Sequence, residues 1–205
     1  MDIEGGLNTV SSWTGGSNAT GVALLTDEVS IVIAPENWYT NNSDNDGAWN
    51  GNTRSAWGGS QKTVTDIKTT TSGSDAITDF AGSDNTDAII SQLIGTTDSY
   101  SQYYTGTPAA EYCRAYSNGC KGVGQWYLPA AGEMNQIVLN KAAIEEALTA
   151  ISGELFSSPG YEWTSTQRSS SSAWYYFWNS EDFVGIGKTN CNGVRPITTL
   201  KNQSG

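Results

Sequence analysis

The 205-residue chain has no histidine, three cysteines, two methionines and five prolines, and its 10 Lys and Arg face 21 Asp and Glu. Without an imidazole there is no Ser–His–Asp or Cys–His catalysis and no histidine-ligated zinc. Cys113, Cys120 and Cys191 are too few for an all-thiolate zinc site. Pairing of Cys113 with Cys120 across a short loop, leaving Cys191 odd, and three small unpaired thiols fit the spacing equally well. The formal charge of -11 argues against nucleic acid, which needs a basic face to displace counterions, and against docking on an anionic membrane. Apolar runs are only a handful of residues long, so no segment is expected to insert in a bilayer. No phosphate loop, GxGxxG or HExxH occurs, and Met1 to Gly6 does not read as a signal peptide.

What is present is polar and aromatic. Ser (24), Thr (23), Asn (16) and Gly (23) dominate, beside 8 Trp, 10 Tyr and 4 Phe. Each aromatic can bury about 150–250 Å², so a real core is expected where a disordered chain would have none. Residues 1–20 read as a linker or N-terminal arm, 21–200 as one domain and 201–205 as a tail. Gly21–Leu25 and Val29–Ala34, separated by Thr26-Asp27-Glu28, predict a β-hairpin. Residues 39–75 are Gly/Asn-rich without periodicity, and predict functional or packed surface loops carrying Trp49 and Trp57.

Helices follow. Asp84-Asn85-Thr86 offers N-caps before Ala88, Ile89, Leu93 and Ile94. Pro108 suits a first helical turn, and Asn118-Gly119 follows the end of that helix. A third helical stretch runs from Gly132 to about Ile151, with a break near Asn140. From Tyr161 onward the chain reads as strands and turns, which makes the fold α+β: an antiparallel sheet with two or three helices and long loops.

Candidate chemistry is thin. Asn42-Ser43-Asp44-Asn45-Asp46-Gly47 has the start of a calcium loop, but Thr53 stands where the bidentate Glu belongs, so a solvated turn is the better reading. Glu145-Glu146 and Glu181-Asp182 are carboxylate pairs, and nothing in their spacing makes two of them face one bond. Ser169 to Ser172 lack a visible base. No enzyme, metal or cofactor is expected. Trp174 to Phe177 and Trp178 form an aromatic strand. Alternation points Trp174, Tyr176 and Trp178 one way, and Tyr175, Phe177 and Asn179 the other. Either both faces are buried, or one is a binding surface built from Tyr with Ser, Gly and Asn.

Trp126-Tyr127-Leu128-Pro129-Ala130-Ala131-Gly132-Glu133 resembles the W-x-L-P-x-x-x-E signature of C-type-lectin-fold domains. Tyr161-Glu162-Trp163-Thr164-Ser165-Thr166-Gln167 and Val194-Arg195-Pro196-Ile197 resemble the paired ends of the same fold. With Trp57-Gly58-Gly59, Asp84 to Ile90 and Ala110 to Tyr116, the chain is similar to the variable proteins of diversity-generating retroelements, common in gut bacteria and their phages. The resemblance covers about residues 20–200. It implies a C-type-lectin-like fold and a ligand-binding protein of receptor or adhesin type, with a protein or glycan target. A phage tail or bacterial cell surface would carry it. An undiversified bacterial surface adhesin of the same fold is the rival reading.

In such systems adenines are randomised and AAY codons for Asn are the usual targets. Those codons cannot become Trp, Gln, Glu, Lys or Met. The reachable residues give a candidate variable set. It comprises Thr164, Arg168, Ser169, Ser170, Ser171, Ser172, Tyr175, Phe177, Asn179, Ser180 and Asp182. It continues with Val184, Gly185, Ile186, Gly187, Thr189, Asn190, Cys191, Asn192 and Gly193. Trp126, Leu128, Pro129, Trp163, Trp174, Trp178, Val194 and Arg195 are the expected scaffold, with Gln167, Glu181 and Lys188 also unreachable. The sugar-binding strings of calcium-dependent lectins are missing, since Trp178-Asn179-Ser180 lacks the final acid. The formylglycine-generating relatives of this fold need a late cysteine pair, and Cys191 stands alone.

Overall fold

The computed structural model describes residues 1, 6–15, 19–39, 52, 55–97, 103–119, 125–156 and 160–200. Asp44, Asp46, Trp49 and Cys120 lie outside them, so the calcium-loop and Cys113–Cys120 expectations are not addressed by it.

The predicted hairpin is present: β1 (Val22–Leu25) pairs antiparallel with β2 (Ser30–Ile33), and β6 (Ile197–Thr199) pairs with the far edge of β2. Thr26 closes the turn, its Oγ1 accepting from the N–H groups of Glu28 and Val29, as turn hydroxyls do. A second sheet holds β3 (Tyr161–Gln167), β4 (Ser172–Phe177) and β5 (Asp182–Gly187) in that order, all antiparallel. The single expected sheet is therefore two small three-stranded ones. In the first sheet Ile31 and Ile33 of β2 are buried on one side and Val32 on the other, and single bridges Trp38–Val194, Tyr127–Ile197 and Glu162–Gly193 carry the chain between sheets.

Among the described residues five α-helices, where two or three were expected, complete the α+β fold: α1 (Gly73–Ala76), α2 (Gly82–Leu93), α3 (Pro108–Ala115), α4 (Ala131–Leu139) and α5 (Lys141–Ala150). Pro108 opens α3 as predicted, a position where its missing N–H costs nothing. The break falls at Asn140, whose side-chain amide donates to the Gln136 carbonyl at 2.9 Å, a local bond that competes with helix continuation. The start of α2 differs from expectation. It begins at Gly82, and Asn85 and Thr86 are buried inside it rather than capping it. Gly82 is required there because a Cβ would overlap the Glu133 carboxylate.

Helices α4 and α5 fill the space between the sheets. Met134, Ile137, Ile144 and Leu148 meet Val22, Leu24, Ile31 and Ile33 on one side and Tyr176 and Trp178 on the other. A second cluster joins α2 and α3 to Trp38, Trp57, Trp163 and Val194. The loop before α1 belongs to this core, since Trp57 and Val64 are buried in it. Met1 packs with Val32, Ala34, Tyr116 and Trp126. The first residue of the segment read as an arm thus touches the core. No helix of the described residues is long and apolar enough to cross a membrane.

The Leu-Pro and Arg-Pro strings are where the two halves lock. Leu128 N–H donates to Thr86 Oγ1 at 3.0 Å, the Pro129 carbonyl accepts from Ser165, and Glu133 accepts from the Ala130 N–H at 2.8 Å and the Tyr127 hydroxyl at 3.0 Å. Arg195 Nε bonds Glu162 Oε1 at 3.1 Å with both side chains buried, and its Nη1 reaches the Ala34 carbonyl. Burial drives the Glu162 pKa up and Arg195 offsets part of that. Removing either partner would strand a buried charge.

Candidate functional site

The β3–β4–β5 sheet is asymmetric, and register decides which residues share a face. Trp174, Tyr176 and Trp178 are 5%, 3% and 4% exposed, so this side is core. Tyr175 stands opposite Val184 and Trp163, and Phe177 opposite Asp182 and Tyr161. Tyr161, Tyr175, Phe177, Val184 and Ile186 are half-buried and Asp182 is exposed. One face is fixed core; the other is an aromatic surface.

Three rings form its centre. Tyr161–Tyr175, Tyr161–Phe177 and Tyr175–Phe177 centroids lie 6.5, 6.3 and 6.4 Å apart, within the range of favourable edge contacts. Tyr39 adds a fourth ring, its hydroxyl 3.0 Å from that of Tyr161. Burial and then the Tyr161 hydroxyl raise the Tyr39 pKa, and burial raises that of Tyr175. Both phenols are therefore neutral at physiological pH. Trp163 floors the patch, 6.1 Å from Tyr175, and its indole N–H donates to the Ser55 carbonyl at 3.0 Å.

Main-chain bonds tie the turns at either end, and in the first of them Ser169 Oγ also accepts from the N–H groups of Ser171 and Ser172. Arg168 and Ser169 N–H groups both donate to the Ser172 carbonyl at 3.0 Å, and Lys188 N–H donates to Ser171. Between β5 and β6, Asn192 N–H donates to Ser55, Gly193 N–H to Tyr161, and Trp163 N–H to Gly193. Cys191 bridges Ala56 and is half-buried. Cys113, by contrast, is fully buried, and burial pushes its pKa well up.

Most of the predicted outward residues reach the surface: Ser169, Ser170, Ser171, Ser172, Thr189 and Asn190 are half-buried, and Asn179 and Ser180 are exposed. Three do not. Thr164 is fully buried because it alternates with Trp163, which shares a face with Tyr175, and so takes the Trp174 side, where its Oγ1 donates to the Trp174 carbonyl. Beyond it β3 bulges, spending two residues more than β4 between the pairs Trp163–Tyr175 and Gln167–Ala173, and Thr166 Oγ1 within the bulge donates to Asp79. Asn192 and Gly193 are buried where the chain crosses between sheets.

Four more, Arg168, Ser172, Gly185 and Gly187, lie on the other face. Gly185 stands opposite Trp174, not Tyr175. Arg168 covers that glycine, where a Cβ would overlap its Cδ, and sets its guanidinium 5.6 Å from the Trp174 ring centroid. Gly187 pairs with Ser172 on this same side of the register. Every expected scaffold residue is buried: Trp126, Leu128, Pro129, Trp163, Trp174, Trp178, Val194 and Arg195.

Lys188, unreachable from an Asn codon, is fully buried with its Nζ 2.8 Å from the Lys62 carbonyl, 2.7 Å from Gln167 Oε1 and 4.4 Å from the Trp57 ring centroid. Its only sequence signal is a lone lysine within an otherwise reachable run.

An α+β domain with one buried and one aromatic sheet face is the class defined so far. No family model and no curated protein matches the chain. Among solved structures, a fimbrial protein from Bacteroides ovatus ATCC 8483 is similar in fold, with a TM-score of 0.52 and 15% identity over 83% of this chain. The match takes in 35% of that protein, so this chain spans well under half its length.

Proposed function

We propose that this chain is a non-enzymatic ligand-binding domain of C-type-lectin-like type. Its β4–β5 outward face and adjoining turns recognise a protein or glycan target, with sequence diversity generated by a retroelement. The observation that carries this reading is the division between the two faces along β4 and its end. Trp174 and Trp178, which an Asn codon cannot become, are buried beside Tyr176, while Tyr175 and Phe177, which it can become, lie on the outward face. A scaffold that accepts arbitrary side chains needs that separation. The three corrected positions, Thr164, Asn192 and Gly193, belong to its frame.

The second reading, an undiversified surface adhesin, draws support from the fimbrial neighbour. In either case the domain would work at a bacterial cell surface or phage tail. Two measurements test the proposal. Sequencing the surrounding DNA should find a reverse transcriptase gene and a near-copy of the codons for residues 161–197 that differs at adenines. Finding neither leaves the adhesin. Capture from a bacterial surface extract should weaken by about 2 kcal/mol or more in Tyr175→Ala or Phe177→Ala with folding intact, as for aromatic hot spots. Capture lost instead on changing Asp44 or Asp46 would place the site in the long polar loop and sink the reading.

A further inference from the structure

We infer that the occupant of this aromatic face is a protein segment bearing Lys or Arg, with a cation seated over the Tyr161–Tyr175–Phe177 rings and its flanking donors turned to Asp182. The inference rests on the binding reading above and narrows it to one ligand chemistry.

Three observations lead there. Aromatic faces carry the negative end of the ring quadrupole and attract cations, most strongly where water is partly excluded. The three rings present half-buried faces from adjacent positions of β3 and β4, with centroids 6.3 to 6.5 Å apart. Asp182, the exposed residue opposite Phe177, supplies a carboxylate at the rim.

Among the described residues no Lys or Arg sits over these three rings. Among residues 160–200 the cations are Arg168, Lys188 and Arg195. Arg168 lies over Trp174 on the opposite face, Lys188 is buried over Trp57, and Arg195 is buried against Glu162. The protein's own cations in this segment thus avoid the rings of the outward face. With a formal charge of -11 over the chain, the long-range field also steers a basic partner inward. A carboxylate-rich partner would meet Asp182 as a like charge. A neutral glycan could stack on the rings but would leave the Asp182 charge without a counterpart.

The test uses the whole chain and three probes: an Arg-Gly repeat peptide, a Glu-Gly repeat peptide of equal length, and neutral dextran, each titrated calorimetrically. The Arg-Gly peptide should bind and the other two should not. Binding should weaken about fivefold in Phe177→Leu, which keeps apolar area but removes a ring face, and by a similar factor in Asp182→Lys. Asp27→Lys, the same charge change in the exposed β1–β2 turn, should leave it within about twofold, since exposed charges farther off than a Debye length are largely screened. Equal weakening by Asp27→Lys would show bulk charge attraction and overturn the inference. So would equal binding of the Glu-Gly peptide, or dextran binding that Phe177→Leu abolishes. If surface-extract capture still depends on Tyr175 and Phe177 while the Arg-Gly preference is missing, the site stands and this ligand chemistry falls. If capture depends on neither residue, both fall.

Discussion

Lys188 Nζ donates to Gln167 Oε1 at 2.7 Å across 21 residues of sequence, and both side chains are fully buried. The Val64 N–H shares that oxygen at 3.0 Å, and Gln167 Nε2 donates to Thr69 Oγ1 at 2.7 Å. The pair thus ties β3, the end of β5 and the loop before α1 at one point below the aromatic face.

Burial pushes the Lys188 pKa down to about 7 from its ordinary 10.5. A depressed folded-state pKa means that the unfolded chain binds more protons between those values. Stability from this group is present above pH 10.5 and lost as pH falls to about 7. Denaturant titrations should show a rise of up to about 1.4 kcal/mol per pH unit across that window. Lys188→Met should remove the slope. An unchanged slope in that variant would mean that Lys188 stays charged throughout.

Glu133 has the opposite sign. Burial raises its pKa from 4.5 to about 7, against the lowering effect of the Ala130 N–H and the Tyr127 hydroxyl. Its contribution is present below pH 4.5 and lost as pH rises through about 7. Glu133→Gln should flatten this descent while keeping the fold, and chemical melts at pH 5 and 7 measure it. The two groups together place a stability minimum for wild type near neutrality.

Trp163→Ala should cost about 3–5 kcal/mol, the range for emptying a buried aromatic site, and it also removes the indole hydrogen bond to the Ser55 carbonyl. Simultaneous exchange of Ser170, Tyr175, Phe177, Ile186 and Thr189 for small polar residues should cost far less. Each partly exposed change is expected to stay near 0.5 kcal/mol. Thr164→Tyr, though reachable from an Asn codon, overpacks the core side of β3 and should cost about 1–3 kcal/mol. Thermal melts of the three proteins decide it, and a well-tolerated Thr164→Tyr would restore that position to the variable set.

Gly185→Ala should displace Arg168 from the Trp174 ring at a cost of about 0.5–1 kcal/mol, the size of an exposed cation–π contact. In an Arg168→Ala background the same change should be nearly free. The double-mutant cycle measures the coupling, and additive effects would show that the two residues do not meet.

Local rules were legible in the chain, and pairings across it were not. Pro108, Asn140 and the Thr26-Asp27-Glu28 turn act within a few residues, so the ends of α3, the α4–α5 break and the hairpin followed from them. Alternation along β4 separated Trp174 from Tyr175 correctly. Which face Thr164 takes depends on the β3–β4 register, in which Trp163 stands opposite Tyr175, so its burial had no local signal. Which face Gly185 shares depends on the β4–β5 register, and the division into two sheets on which strand β6 chooses. These are long-range pairings that periodicity does not encode.

The segment from Lys188 to Val194 is pinned through its backbone: the N–H groups of Lys188, Asn190, Asn192, Gly193 and Val194 all donate to carbonyls. Under the proposed diversification, this leaves Thr189, Asn190 and Cys191, the half-buried positions of the turn, open to nearly every substituent a codon can deliver, because the anchoring atoms are common to all residues. Proline alone lacks the N–H, and it is reachable from an Asn codon. The repertoire of the turn should therefore be depleted in a single amino acid, a deficit that deep sequencing of functional variants would count directly.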